Sequence, residues 1–447
     1  MAQECLNELA AYRETRKLVT TPQSPAPHAA PHAAPHRASL GFVFMIVLID
    51  MLGFGIVMPV LPKLIMQLGQ MPIDSAAVYA GWLGAGYAAT QFFFAPIIGN
   101  LSDRFGRRPV MLAAVLAMAV DYTIQGFAPA LWWLVIGRIG AGMAGASYSA
   151  AYAYIADVTP PEKRAQSFGM MGMAFGFGFI AGPAIGGLLA GFGDRAPFHA
   201  AAGLAFANFL FGLVFMKESL GAANRRKFDW KRANAFAALR ALRGQHGTVA
   251  WFIAALGTWQ LAHVVYPSIW AYFAIGAYGF GQREVGLALA MVGVTSALVQ
   301  GLGLRLVAPR IGEQRAVIAG VIAVCISAVL YAVAKSTPMV YLAIAVGALQ
   351  GFIQPSIAAM NSRAVDAKSQ GELQGATQAI GSIAQIIGPP LYALVFAKFS
   401  GPTAIAHLPA APLLLAAGFA VVALVLFLGG ARRLPAASPP PITRPAS

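Results

Sequence analysis

The chain has 447 residues, of which 58% are hydrophobic and only 11% charged. Soluble domains carry about 25% charged residues, so composition excludes an ordinary water-soluble enzyme or binding module and points to a protein that crosses a membrane many times. The 31 Lys and Arg against 16 Asp and Glu give a formal charge of +15, but these residues cluster in short segments between apolar runs, as inner-face anchors do, which argues against nucleic acid as a partner.

Residues 1–38 are polar, hold Pro22, Pro25, Pro27, Pro31 and Pro35, and repeat Pro-His-Ala-Ala to give His28, His32 and His36. That composition predicts a disordered tail, and it lacks the apolar core of a secretory signal. From Leu40 the hydropathy predicts twelve spans, each near the ~20 residues that cross a bilayer. Their cores fall at 40–66, 77–100, 108–127, 130–155, 165–191 and 197–216, then 249–276, 285–307, 314–334, 338–360, 372–397 and 405–429. Between the two sets lies a basic linker, 217–248, suited to anionic inner-leaflet lipid. The expected architecture is an all-α membrane protein with twelve transmembrane helices in two six-helix pseudo-repeats. Residues 39–216 and 249–430 form the halves, and 431–447 form a second tail. Alternate loops hold Arg104/Arg107/Arg108, Lys163/Arg164, Arg305/Arg310/Arg315 and Arg363/Lys368, whereas the others hold one cation apiece, which predicts cytoplasmic termini. Cys5 and Cys325 imply no disulfide framework.

In chain order, Asp50 comes first among the charges at membrane depth. It lies about ten residues into span 1, near ~15 Å depth at 1.5 Å per residue. Intramembrane acids are costly and line cavities or pair with one another, so Asp50 is a candidate proton carrier. The turn from Gly99 to Arg108 follows, with Asp103, Arg104, Gly106, Arg107 and Arg108 between two apolar runs. Asp103 reads as an interfacial salt bridge or as a latch between the halves. Asp121 in span 3 and Arg138 in span 4 share a depth; they read either as a structural ion pair or as a pair whose strength follows protonation. Span 5 contains Gly178, Gly182, Pro183, Gly186 and Gly187, which suit close packing or a bendable helix at the junction of the halves.

The halves repeat at a constant offset of 206 residues, which maps Gly106 on Gly312, Gly169 on Gly375 and Gly182-Pro183 on Gly388-Pro389. The same offset sets Asp50, Asp121 and Arg138 against Leu256, Ser327 and Ile344. Proton handling is therefore expected in the first half. Amides and aromatics, with Gln91, Gln260, Trp270 and Gln354 as candidate substrate contacts, suit a large amphipathic drug. His263 stands alone in span 7 as a packing or cavity residue. No catalytic constellation, cofactor motif or metal-ligand spacing is visible.

Three segments resemble motifs of the major facilitator superfamily: Gly99 to Arg108; Arg138 with Gly137, Gly140 and Gly142; and Gly178-x-x-x-Gly182-Pro183-x-x-Gly186-Gly187, which is similar to the helix 5 motif of antiporters. A narrower resemblance covers about residues 44–430. It rests on Asp50 to Pro62, Leu101 to Pro109, Asp121-Tyr122, Ile155-Ala156-Asp157, Phe175 to Gly187 and Gln370 to Gly375, which together resemble the tetracycline/proton antiporters. That resemblance implies a monomeric bacterial inner-membrane exporter that exchanges a divalent-metal complex of tetracycline for a proton, with roles for Asp50, Asp103 and Asp121 and proton transfer at Arg138. The chain departs from that pattern at Val324 and Thr295, where the family has an acid and a histidine. Readings from other classes are an exporter of a natural metabolite and a membrane sensor that moves nothing.

Overall fold

Proline and glycine punctuate the helices. In the computed structural model, which describes residues 37–145, 148–160, 163–230, 234, 236, 247–365, 369–401 and 404–433, α1 comprises Arg37–Val57 and Leu61–Gly69, interrupted at Met58-Pro59-Val60. Then come α2 (Ile73–Phe105), α3 (Arg107–Phe127), α4 (Leu131–Gly145 and Tyr148–Val158), α5 (Arg164–Leu189) and α6 (Ala196–Phe215). The second set is α7 (Gly247–His263 and Val265–Tyr278), α8 (Gln282–Leu298, continued by the π-helical turn Val299–Gly303), α9 (Glu313–Val333), α10 (Thr337–Gly347, the 3-10 turn Ala348–Phe352, and Ile353–Arg363), α11 (Gln370–Ser400) and α12 (Ala411–Ala431). Ten of these are long and apolar enough to cross a membrane unaided. α2, whose middle is rich in Gly, Ala and Tyr, and α4 complete the twelve. The start of α12 differs most from the sequence expectation, falling at 411 rather than 405, because Pro412 favours the first helical turn there. Of the predicted tails and linker, residues 1–36, 434–447 and most of 231–246 lie outside the described residues.

The internal repeat is visible in the backbone. Gly106 has φ +107 and ψ 162, and Gly312 has φ +81 and ψ 157. Each closes the preceding helix with its N–H donated to the carbonyl four residues back, Ser102 and Ala308 respectively. Both conformations lie where side chains with a Cβ are strained, so the turn needs glycine in both halves.

The apolar core runs through both halves, with Tyr122, Phe198, Trp259, Phe273, Phe396 and Phe427 among its fully buried or nearly buried side chains. Large apolar groups such as Phe127, Val214 and Val425 are exposed instead, as helices that face lipid tails require. Across the halves, α2 packs on α11 and α5 on α8, and the second piece of α7 also touches α2.

Candidate functional site

The N-terminal half holds its acids by close helix approach. The Tyr148 hydroxyl, at the start of the second piece of α4, donates to Asp50 Oδ2 at 3.1 Å. Asp50 Oδ1 is buried with no hydrogen-bond partner. One turn along α1, Gly53 lets the Tyr122 ring of α3 come so near that a Cβ there would sit 3.1 Å from it. Asp121, 2% exposed, points from the same α3 turn toward α4. Gln125 Nε2 donates to its Oδ2 at 2.8 Å, and its Oδ1 lies where a Cβ on Gly137 would fall. Glycine at 137 is thus what lets the carboxyl reach α4. Tyr87 and Tyr122 are each within electrostatic reach of Asp50, Asp121 and Arg138.

Asp121 and Arg138 do not form the direct ion pair that their matching depths suggest. The ion pairs among the described residues are Lys63–Asp194, Arg107–Asp103, Arg107–Asp157 and Arg363–Glu313. Gln125 takes one oxygen of Asp121, and the backbone of α4 at Gly137 crowds the other. Arg138 stays within electrostatic reach of Asp121 and also of Tyr272 on α7, across the junction of the halves. Tyr87, Gln125 and Tyr148 were not legible as site residues, whereas Tyr122 and Gly137 were singled out only beside Asp121 and Arg138 in the motifs.

The helix 5 glycines divide between two faces. Gly178, Gly182 and Gly186 press on α1, with a Cβ on Gly182 only 2.7 Å from Gly55 Cα. Gly187 faces α8, where a Cβ would lie 2.8 Å from the Gln282 carbonyl oxygen, and the Pro183 carbonyl approaches Gly286 of α8. The first face belongs to the N-terminal half and the second to the junction.

The sequence profile of the Major Facilitator Superfamily matches residues 43–389 and 264–446. The chain belongs to this superfamily. It is 40% identical over 351 residues to the tetracycline resistance protein, class C, of Escherichia coli, which covers 78% of this chain and 88% of that protein. It is 38% identical over 371 residues to the class G protein of Vibrio anguillarum, covering 82% and 92%. Among solved structures, the human organic anion transporter MFSD10 superposes with a TM-score of 0.65 at 22% identity, over 88% of this chain and 100% of that one. A bacterial homologue of the human lysosomal transporter Spinster, inward-facing and occupied, gives 0.69 at 16% identity over 90% and 98%. This superfamily member is a multi-pass membrane transporter and not an enzyme.

The halves of the transporter meet toward one end. Gly81 of α2 lies against Pro389 and Ala393 of α11, with a Cβ 2.8 Å from the Pro389 carbonyl oxygen and 2.7 Å from Ala393 Cβ. Together with the Gly187–Gln282 contact, this places both glycine junctions away from the arginine-bearing turns. Toward that basic end, Gly169, Gly172 and Gly176 of α5, Gly301 beside α8 and Gly375 of α11 would meet nothing within 4 Å. Glycines near the far end are thus packed tightly across the halves, and those near the basic end have open space beside them.

At the basic end, Arg107 is 8% exposed. Its Nη1 donates to Asp103 Oδ1 (2.6 Å) and Ser102 Oγ (3.0 Å), and its Nε to Asp157 Oδ2 (3.2 Å). Arg104 lies over the Phe105 ring at 5.0 Å, Arg108 donates to the Leu213 carbonyl, and Gly99 lets α2 come near Ser149 of α4. The Asp103 side chain pairs within its own half, and its carbonyl accepts from the Arg226 N–H of the linker. The expected latch from Asp103 to the other half is therefore not made here, because Arg107 of its own half takes the carboxylate. Glu218, which sequence reasoning passed over, accepts from the N–H groups of Arg107 and Arg108.

Of the proposed substrate contacts, Gln91 and Gln260 are half-buried and Gln354 is exposed. Gln91 lies beside Gly145 and Gln260 beside Gly381, each amide nitrogen 2.9 and 3.4 Å respectively from where a Cβ would stand. Trp270 is 2% exposed and sits edge-on to Tyr331 in the C-terminal core. Thr295 donates to carbonyls of its own helix, and Val324 is 3% exposed in the core. No cluster of three or more His, Cys, Asp or Glu that could hold a metal ion occurs among the described residues.

Proposed function

We propose that this protein is a proton-driven exporter of tetracycline-like or related amphipathic drugs in a bacterial inner membrane, working as a monomer by alternating access with both termini in the cytoplasm. The observation that carries the coupling is the pair of intramembrane acids, Asp50 and Asp121, each with a buried oxygen that has no hydrogen-bond partner. An oxygen of this kind favours a proton, because an uncompensated charge at membrane depth is costly. Protonation from the periplasm would relax the grip of these acids on α4 and let the halves rock about a midplane site. Release to the cytoplasm, the side of the basic loops, would reset the carrier. The named tetracycline resistance relatives support the drug class, and a divalent metal would travel as part of the drug complex. Val324 and Thr295 favour coupling through Asp50 and Asp121 alone, and they also favour a second reading in which the cargo is another amphipath, such as a natural metabolite.

The test is tetracycline uptake into inverted membrane vesicles energised by a proton gradient, for wild type and Asp50→Asn. Uptake abolished by an uncoupler and by the substitution is expected. Absence of uptake with protein present in the membrane would sink tetracycline as cargo, and uncoupler-sensitive uptake that survives Asp50→Asn would sink the role of Asp50.

A further inference from the structure

α7 is interrupted at Val264, 206 residues after the interruption of α1 at Met58. The cause in α7 is local. Pro267 has no N–H to donate four residues back, so the carbonyl of His263 loses its helical partner at that point. Two polar groups of one residue, the imidazole and this carbonyl, are thereby presented together at mid-helix. The imidazole is exposed in mid-helix while its neighbours Ala262, Val264 and Val265 are buried, and a polar group at membrane depth belongs on the wall of a cavity rather than against lipid. It lies between two aromatic rings, Trp259 at 5.8 Å and Tyr266 at 6.0 Å between centroids. Gln260 stands one turn away, half-buried.

We propose that His263 and its freed carbonyl, flanked by Trp259 and Tyr266, form the substrate-recognition niche of the C-terminal half. The niche takes the hydrogen-bonding edge of a planar aromatic amphipath. The imidazole can donate or accept, the carbonyl accepts, and the rings give flat apolar surface. A lipid-facing imidazole would find no partner in hydrocarbon and would be disfavoured there. The N-terminal half contributes charge at Asp50, and the niche contributes neutral hydrogen bonding from the facing half, so cargo contact and proton exchange fall on different halves. The cargo class rests on the exporter reading above; the exposure of the niche to the cavity does not.

Two measurements in inverted vesicles test the niche. In a Cys5→Ala/Cys325→Ala background, His263→Cys is treated with a membrane-impermeant methanethiosulfonate from the basic face. Modification, slowed by tetracycline or by ethidium, is expected; an unreactive thiol overturns the niche. In the uptake assay, His263→Ala is expected to raise the KM for tetracycline about tenfold, the loss of roughly one hydrogen bond. Maximal rate should change less than twofold, and His263→Asn should restore part of the loss. An unchanged KM overturns the contact. If the wild type takes up no tetracycline, the drug reading falls, and the niche then stands or falls on thiol modification and its protection by ethidium.

Discussion

Glu218 reaches back from the linker to hold the first turn of α3. Its Oε1 accepts from the N–H groups of Arg107 (2.8 Å) and Leu220 (3.0 Å), and its Oε2 from that of Arg108 (3.2 Å). A helix start leaves four such donors without intrahelical partners, and here a carboxylate from a distant segment serves two of them. Replacing a capping side chain by Ala costs about 0.5–2 kcal/mol, and a negative charge at a helix N-terminus adds about 0.3–1 kcal/mol. The group is half-buried, so water recovers part of the loss, and Glu218→Ala should cost about 1–2 kcal/mol. Glu218→Gln keeps one acceptor but turns an amide donor toward another donor, and it should cost about half as much. The assay is the midpoint of heat denaturation in detergent, followed by fluorescence-detected size exclusion. A drop of a few degrees for Ala, and a smaller one for Gln, is expected. An Ala variant as stable as wild type would refute the capping argument, and equal losses for Gln and Ala would refute the role assigned to charge and to the second oxygen.

The other expectations use the same assay. Gly106→Ala must strain a φ of +107 and drive its Cβ into the Glu218 carboxylate, so it should cost more than Gly312→Ala, whose φ of +81 is strained but whose Cβ would meet nothing within 4 Å; backbone strain of this type is worth about 1–3 kcal/mol, and equal losses would count against the clash. Gly182→Val should leave little monodisperse protein because α1 is 2.7 Å from the new Cβ, whereas Gly176→Ala, with open space, should be neutral; tolerance of the first would refute the packing described. At the far end, the hydrogen bond from Lys63 holds the Asp194 carboxyl below its usual range, with Gln67 assisting. A depressed acid stabilises above its unfolded pKa, near 3.9, and loses that contribution as pH falls through the folded value. Because the pair is 48% and 31% exposed, the effect should stay below about 0.5 kcal/mol. The midpoint difference between wild type and Asp194→Asn should be small at pH 6 and vanish in acid; a difference that grows in acid has the wrong sign for this account.

Much of the fold was legible because its signals are local. Long apolar runs, proline starts and glycines at fixed offset mark helices and repeats whatever their neighbours are. The acids stood out for the same reason, since Asp50 and Asp121 are anomalous in apolar sequence. What surrounds them was hidden, because helix rotation decides it. Gly182 and Gly187 look alike in sequence, yet one meets α1 and the other α8. Trp270 looked like a recognition group but faces Tyr331 in the core, and nothing in its flanking residues distinguishes the two faces of that helix. Glu218 was hidden for a different reason. Among the cations of the linker it reads as charge balance, and only the folded chain brings it to α3, more than a hundred residues upstream.

The comparison of the two halves gives the charges their meaning. Asp121 meets α4 at Gly137, and Ser327, its counterpart 206 residues on, donates at 2.7 Å to the carbonyl of Ala343, the counterpart of Gly137. The same pair of neighbouring helices therefore meets once at a carboxyl, whose Oδ1 has no hydrogen-bond partner, and once at a hydroxyl that donates across. A hydroxyl suffices to join the helices, because the C-terminal half is held together without any acid at this point. Helix joining thus does not account for the acid, which carries a desolvation cost that Ser327 avoids. Arg138 strengthens the argument, since its counterpart is Ile344, 3% exposed in the core. Charge stands at positions 121 and 138 in one half and at neither counterpart in the other. A group whose protonation alters its hold on the neighbouring helix is what a carboxyl adds to a hydroxyl. Acid and arginine at this level are thus confined to the N-terminal half, and a hydroxyl and an apolar side chain take their places in the C-terminal half.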